Sequence, residues 1–244
     1  MSRGFYALGS GVLTQNRALE NVSNNIANVN TAGYKKSKLV NTSFGELYIN
    51  RIDAQKTGLN NVSIINTAAQ TQTLHTQGTL KHTGRNLDFA IQDRGFFAVQ
   101  TAGGNIYTRN GSFNVDAQGY LVLKDAGRVM GTNGPIYVGT DELTADSAGG
   151  LSVNGEALNN RLAVYDFADY NALEAMGEGV YRGNAPVLQN NAQILWQTVE
   201  GSNVDAAAEM TAAIAAQRGL QSCTQALKMY DQILNKAVTE IAKL

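Results

Sequence analysis

Two stretches at opposite ends of the chain each carry an apolar stripe that neither can bury by itself. In the first, Leu8, Val12, Gln15, Leu19, Val22, Ile26 and Val29 recur at spacings of four and three. That spacing lines one face of an α-helix and is the seam of a helix that pairs with another. In the second, Ala213, Ala216, Leu220, Cys223, Leu227, Tyr230, Leu234, Ala237 and Ile241 repeat in the same way. The economical solution is that the two ends pack on each other as a coiled coil. Gly33 stands just past the first stripe, where a left-handed helix cap favours glycine. Before the second, Ser202 or Asn203 can cap, and Asp205 suits the first turn. A helix of about forty residues there would be about 60 Å long.

Between these ends the period changes. Leu87, Phe89 and Ile91 alternate with polar or small residues, and short apolar runs follow at 96–99, 120–123, 136–138 and 162–167. Glycine turn signals separate them, among them Gly103-Gly104-Asn105, Gln118-Gly119 and Asn154-Gly155. Many short strands with such turns predict an antiparallel β domain. The fold class is therefore α+β. An N-terminal helix occupies 1–35, an extended connector 36–77 with a short helical piece around Ser43 to Ile49, a β-rich domain 78–200 and a C-terminal helix 201–244.

Composition excludes several function classes. The net charge is −1, so no broad electrostatic pull toward nucleic acid or anionic membrane is expected. Charged residues make up 16% of the chain, below the roughly 25% of an average soluble protein. A low-charge, amide-rich surface suits repeated subunit contacts. Near the N-terminus no continuous apolar run reaches the length of a cleavable secretory signal. Catalytic and metal-binding constellations are not apparent. His75 and His82 lie in a polar connector and are expected to be surface histidines. Cys223, the single cysteine, sits on the apolar seam and reads as packing. Lys35-Lys36-Ser37-Lys38 reads as a solvated helix exit. The expectation is a protein that is not an enzyme and binds no cofactor, metal or small-molecule substrate.

The positive signal is an amide stripe. Asn21, Asn24, Asn25 and Asn28 are separated by three, one and three residues, which places them on one narrow face at about 100° per residue. An exposed polar face is ordinarily built from Lys, Glu and Gln, which favour the helix more than Asn does. These four residues are therefore expected to contact neighbouring subunits. Leu8, Val12, Leu19, Val22, Ile26 and Val29 would pair inside the chain with Leu220, Leu227, Tyr230, Leu234 and Ile241.

Four stretches, in order, carry a family resemblance: NNIANVNTAGYK at 24–35, LDFAIQDRGFFAVQ at 87–100, YTRNGSFNVDAQGYLV at 107–122 and EGSNVDAAAEMTAAIAAQRGLQSCTQALKMYDQIL at 200–234. Together they resemble the bacterial flagellar rod and hook proteins. The resemblance implies a coiled coil of terminal helices lining the inner tube of a helical axial structure, with the β domain outside. It further implies export by the flagellar type III apparatus without a cleaved signal, and a place in the basal body within the cell envelope. The implied partners are further copies of the chain, neighbouring rod and hook subunits and the export apparatus. Gly4-Phe5-Tyr6-Ala7-Leu8 resembles the family's short export signal, although Phe5 and Leu8 equally suit the first turn of the packed stripe. At 244 residues the length favours a rod subunit, proximal or compact distal, over a hook protein. A hook-type or assembly-scaffold subunit of the same axial family and a peptidoglycan-remodelling enzyme are the alternatives.

Overall fold

The computed structural model describes residues 2–50 and 58–241, with side chains at 4–41 and 70–239. The chain forms two compact units. One holds 1–26, 37–72 and 205–244; the other holds 27–36 and 73–204.

The first unit contains the N-terminal helix, Ser2–Ala27, and the C-terminal helix, Ala206–Ile241. Their contacts run in opposite directions. A Cβ on Gly4 would lie 3.8 Å from the Tyr230 ring, one on Gly11 3.3 Å from Cys223 Sγ, and one on Gly219 3.0 Å from the Gln15 side chain. Asn25 Nδ2 donates to Glu209 at 3.0 Å. Each step forward along one helix matches an equal step back along the other, so the two lie antiparallel over about 32 Å. Glycine at 11 and 219 leaves room for Cys223 and Gln15 on the facing helix.

The helix boundaries differ from expectation. The first helix stops at Ala27, so Val29, half-buried, lies in the turn that follows. Asn28 and Thr31 bond to each other there, and side chains of this kind compete with helical hydrogen bonds. The second helix is capped by neither Ser202 nor Asn203. Asp205 accepts from Ala207 N at 2.9 Å and Ala208 N at 3.3 Å, as an N-cap does.

The helical piece expected around Ser43 to Ile49 is a strand. Ser37–Asn50 pairs with Gly58–Thr73 as a two-stranded sheet. Val40, Thr42, Phe44 and Tyr48 bring strand-favouring residues to alternate positions, and a partner strand overrides a weak helical reading.

The second unit is built around the strand Phe96–Thr101. It pairs antiparallel with Gly104–Thr108, Gly127–Gly131 and Val164–Asp166. Both of its faces are buried, so it reads as a continuous apolar run instead of alternating. Phe97 and Val99 join a large core with Phe89, Ile91, Phe113, Leu121, Ile136, Leu151 and Ile194. Phe96 and Ala98 face a smaller, aromatic core with Tyr107, Phe167 and Tyr181. A three-stranded sheet, Leu143–Ala145, Gly150–Val153 and Glu156–Arg161, contributes Leu143 and Leu151 to the large core. Its second hairpin turns on Asn154 and Gly155, with φ of 51° and 84°. Positive φ at both central residues is the turn that matches the twist of paired strands.

Gly33 adopts φ +71°, but its role is close approach rather than helix capping. A Cβ there would lie 2.2 Å from Asn110 N. Gly84 has a similar φ of +73° and open space around it. The two separate conformational strain from collision. Gly84→Ala is expected to lose about 1–2 kcal/mol of stability in denaturant unfolding, the cost of a left-handed L-residue. Gly33→Ala should lose at least about 3 kcal/mol, because overpacking against backbone adds to that strain.

Candidate functional site

Two features of the structure bear on function: the outward surfaces of the terminal helices, and a buried polar collar in the β unit.

On the N-terminal helix, Leu8, Val12, Gln15, Leu19, Val22 and Ile26 are half-buried. Opposite them, Tyr6, Leu13, Arg17 and Asn24 are exposed on a common face. Of the two residues of the possible export signal, Phe5 is exposed and Leu8 half-buried. On the C-terminal helix, Leu220, Cys223, Leu227, Tyr230 and Leu234 are half-buried and Ala216 is buried, while Ala237 is exposed. The side chain of Ile241 lies outside the described residues. Large apolar side chains also point outward. Leu13 and Ile233 are each 66% exposed, and Met210, Ile214, Met229 and Val238 are exposed as well.

The amide stripe divides in two. Asn25 is buried: Nδ2 donates to Ser37 O at 2.8 Å and to Glu209 at 3.0 Å, and Oδ1 accepts from Ser37 N at 3.0 Å. Asn21 Nδ2 donates to Ser37 Oγ at 2.8 Å. This corrects the expectation that Asn25 faces neighbouring subunits. The segment starting at Ser37 returns over that side of the helix and takes up its amides. Asn24 is exposed and Asn28 is half-buried.

The collar gathers three distant segments, 33–36, 74–78 and 200–203. Glu200 stands at its centre. Its carboxylate pairs with Lys35 Nζ, accepts from Arg109 Nη1 at 3.1 Å and accepts from Gly78 N at 2.8 Å. Its carbonyl accepts from Gly33 N at 2.7 Å. Lys35 also donates to Thr76 O at 2.8 Å. Asn203 is the second clip: Oδ1 accepts from Lys36 N at 2.6 Å, and Nδ2 donates to Leu74 O at 2.8 Å and Thr76 O at 3.0 Å. Lys35, Arg109 and Glu200 are all buried, which corrects the reading of Lys35 as part of a solvated basic run. Lys38, three residues on, is exposed. Burial lowers the Lys35 pKa against the opposing pull of Glu200.

His75 is likewise not a surface residue. It is half-buried, with its ring 5.8 Å from Phe96, 5.0 Å from Tyr170 and 5.2 Å from Tyr181. His82 is exposed on its strand. Among the described residues, no group of three or more His, Cys, Asp or Glu is placed to hold a metal ion. No described helix is long and apolar enough to cross a membrane.

Comparison with known proteins matches both ends and the middle of the chain to one family. Residues 5–35 match a model described as flagella basal body rod protein, 90–156 the flagellar hook protein FlgE/F/G D1 domain, and 197–240 the flagellar basal body rod FlgEFG protein C-terminal. The flagellar basal-body rod protein FlgG of Bacillus subtilis is 30% identical, over 98% of each chain. The chain belongs to the flagellar basal-body rod family. The FlgG of Buchnera aphidicola from Acyrthosiphon pisum is 31% identical over 93% of this chain and 95% of its own, and the rod protein FlgF of Caulobacter vibrioides is 29% identical over 100% of each. This rod-family chain is a structural subunit of the flagellum. The names of these relatives describe rod proteins and not catalysts.

One of the family matches ends at Lys35 and another begins at 197, three residues before Glu200. Lys35 closes the first quoted sequence stretch, Arg109 lies in the third, and Glu200 and Asn203 open the fourth. The signal was present in the sequence, but the pairing of a lysine with a glutamate 165 residues away was not.

The collar holds two buried cations and one carboxylate, so its members are not equivalent. Glu200→Gln leaves both cations without a buried counter-charge and is expected to cost about 3–5 kcal/mol. Lys35→Met leaves the matched Arg109–Glu200 pair, and its cost should be clearly smaller. Urea unfolding of the two variants checks the order; a Lys35→Met loss equal to that of Glu200→Gln would contradict it.

Proposed function

We propose that this rod-family chain is exported by the flagellar type III apparatus and polymerises with further copies and neighbouring axial subunits into the rod. In that assembly the two terminal helices form a coiled coil lining the inner tube. The observation that carries this reading is the outward face of the helices. Tyr6 and Leu13 on one helix and Met210, Ile214, Met229 and Ile233 on the other leave large apolar side chains in solvent. Exposed large apolar side chains recurring along both helices suit contact with neighbouring subunits. A head-to-tail contact that does not close produces a helical filament, as a rod requires.

The amide residues refine the contact surface. Asn24 lies on the same exposed face as Tyr6 and Leu13. With Asn21 and Asn25 turned inward, the proposed subunit contact rests on Asn24 and Asn28. Asn24 lowers helix propensity, a cost that is offset when its amide pairs across subunits. The proposed location is the basal body within the cell envelope, with the export apparatus as a transient partner and Phe5 as the exposed part of its recognition segment.

Replacement of both Asn24 and Asn28 by Ala should leave secretion of the chain intact. Incorporation into purified basal bodies should fall by at least about tenfold, since two interface hydrogen bonds at about 1 kcal/mol each are lost. Immunoblots of culture supernatant and of isolated basal bodies separate the two steps. Normal incorporation and motility in the double variant would remove the amide contact from the proposal.

A further inference from the structure

The collar contains a titratable group that its ionic bonds do not use. His75 lies within the second collar segment, between Leu74 and Thr76, whose carbonyls are held by Asn203 and Lys35. Its Nδ1 is buried and has no hydrogen-bond partner among the described residues. The ring meets Phe96 and Tyr170 edge to face, at interplanar angles of 82° and 63°, and lies tilted against Tyr181. This is a niche for a neutral imidazole.

The charges around that niche are unbalanced. Lys35 comes from the first collar segment and Arg109 from the end of the strand Gly104–Thr108, with its guanidinium carbon 5.5 Å from the Phe96 centroid. Both raise the local positive potential at His75. The neighbouring carboxylates are engaged: Glu200 by Lys35 and Arg109, and Asp166 by the Tyr170 hydroxyl and by Arg94 at 3.6 Å. Tyr181 is held neutral, since burial pushes its hydroxyl up. A proton added to half-buried His75 would be a third cation beside a Glu200 carboxylate already engaged by two, and like charges in a site of low dielectric repel strongly.

We propose that the collar is a proton-operated clasp, in which protonation of His75 separates the segments 33–36, 74–78 and 200–203. The closed clasp favours neutral His75 under the positive potential of Lys35 and Arg109; the open one gives the imidazolium full access to water. The direction of the response follows. Burial, then Lys35 and Arg109, hold the His75 pKa at about 4, below its ordinary 6.5. Between these values the closed clasp binds fewer protons than the open one. Its stability is therefore complete above pH 6.5 and is lost as pH falls toward 4.

The test is amide hydrogen exchange on the full chain between pH 7 and pH 4.5, corrected for the intrinsic pH dependence of exchange. The reporters are the amides of Gly33, Lys36 and Gly78, which donate to Glu200 and Asn203. Their protection should fall by up to about tenfold per pH unit below 6.5, while Val99 and Ile106 in the central ladder hold theirs. In His75→Phe the collar amides should show no such fall. Flat protection in the wild type, or an undiminished fall in the variant, overturns the clasp. If His75→Phe does not fold, the imidazole titration of the wild-type chain by NMR decides: a midpoint below about 5 supports the clasp and one near 6.5 overturns it.

Discussion

The β unit depends on one buried carboxylate. Glu200 binds the chain where it leaves the N-terminal helix, through Lys35 and Gly33, and where it enters the β unit, through Gly78. It also binds the body of the sheet through Arg109. Its strand, Thr198–Glu200, then leads toward the C-terminal helix. Buried ion pairs contribute little net stability, because desolvation offsets the attraction. Their effect is on specificity. A chain that misplaced any of these segments would leave a lysine, an arginine or a glutamate buried without its partner, at a cost of several kcal/mol.

Around that point the packing is set by a strand buried on both faces. Phe97 and Val99 serve one core, while Phe96 and Ala98 serve the other. The aromatic core lies on the Phe96 side, and Phe96 is also the residue that meets His75 and Arg109. The polar collar and the apolar core therefore share a wall. Gly33 can pass against the backbone at Asn110 because it has no side chain, and that passage brings Lys35 to Glu200.

The helical unit divides its surface by chemistry. One face of the N-terminal helix is half-buried toward the C-terminal helix, and a second is covered by the chain segment beginning at Ser37. The third carries Tyr6, Leu13 and Asn24 outward. A monomer has little use for exposed leucine, isoleucine and methionine together on long helices. On the proposed reading a subunit of a rod does, since neighbouring subunits would cover that outward face.

Periodicity and turn chemistry are local, and what they encode was legible in the sequence. The seam residues from Leu8 to Ile26 and from Leu220 to Leu234 are half-buried, and Asn154-Gly155 makes the hairpin its dipeptide demands. Four ordered motifs sufficed for the family. Other features depend on residues far apart in the chain. Ser43 to Ile49 is a strand because Gly58–Thr73 lies beside it. Asn25 turns inward because Ser37 and Glu209, 12 and 184 residues away, receive its hydrogen bonds. Lys35 and His75 looked like surface residues because their neighbours in sequence are polar. What buries them is Glu200, Arg109, Phe96 and Tyr181, which only the tertiary fold brings near. The sequence by itself determined which residues lie together on each face of a helix or strand. The tertiary structure decided what covers each face, because burial depends on neighbours in space that no local pattern specifies.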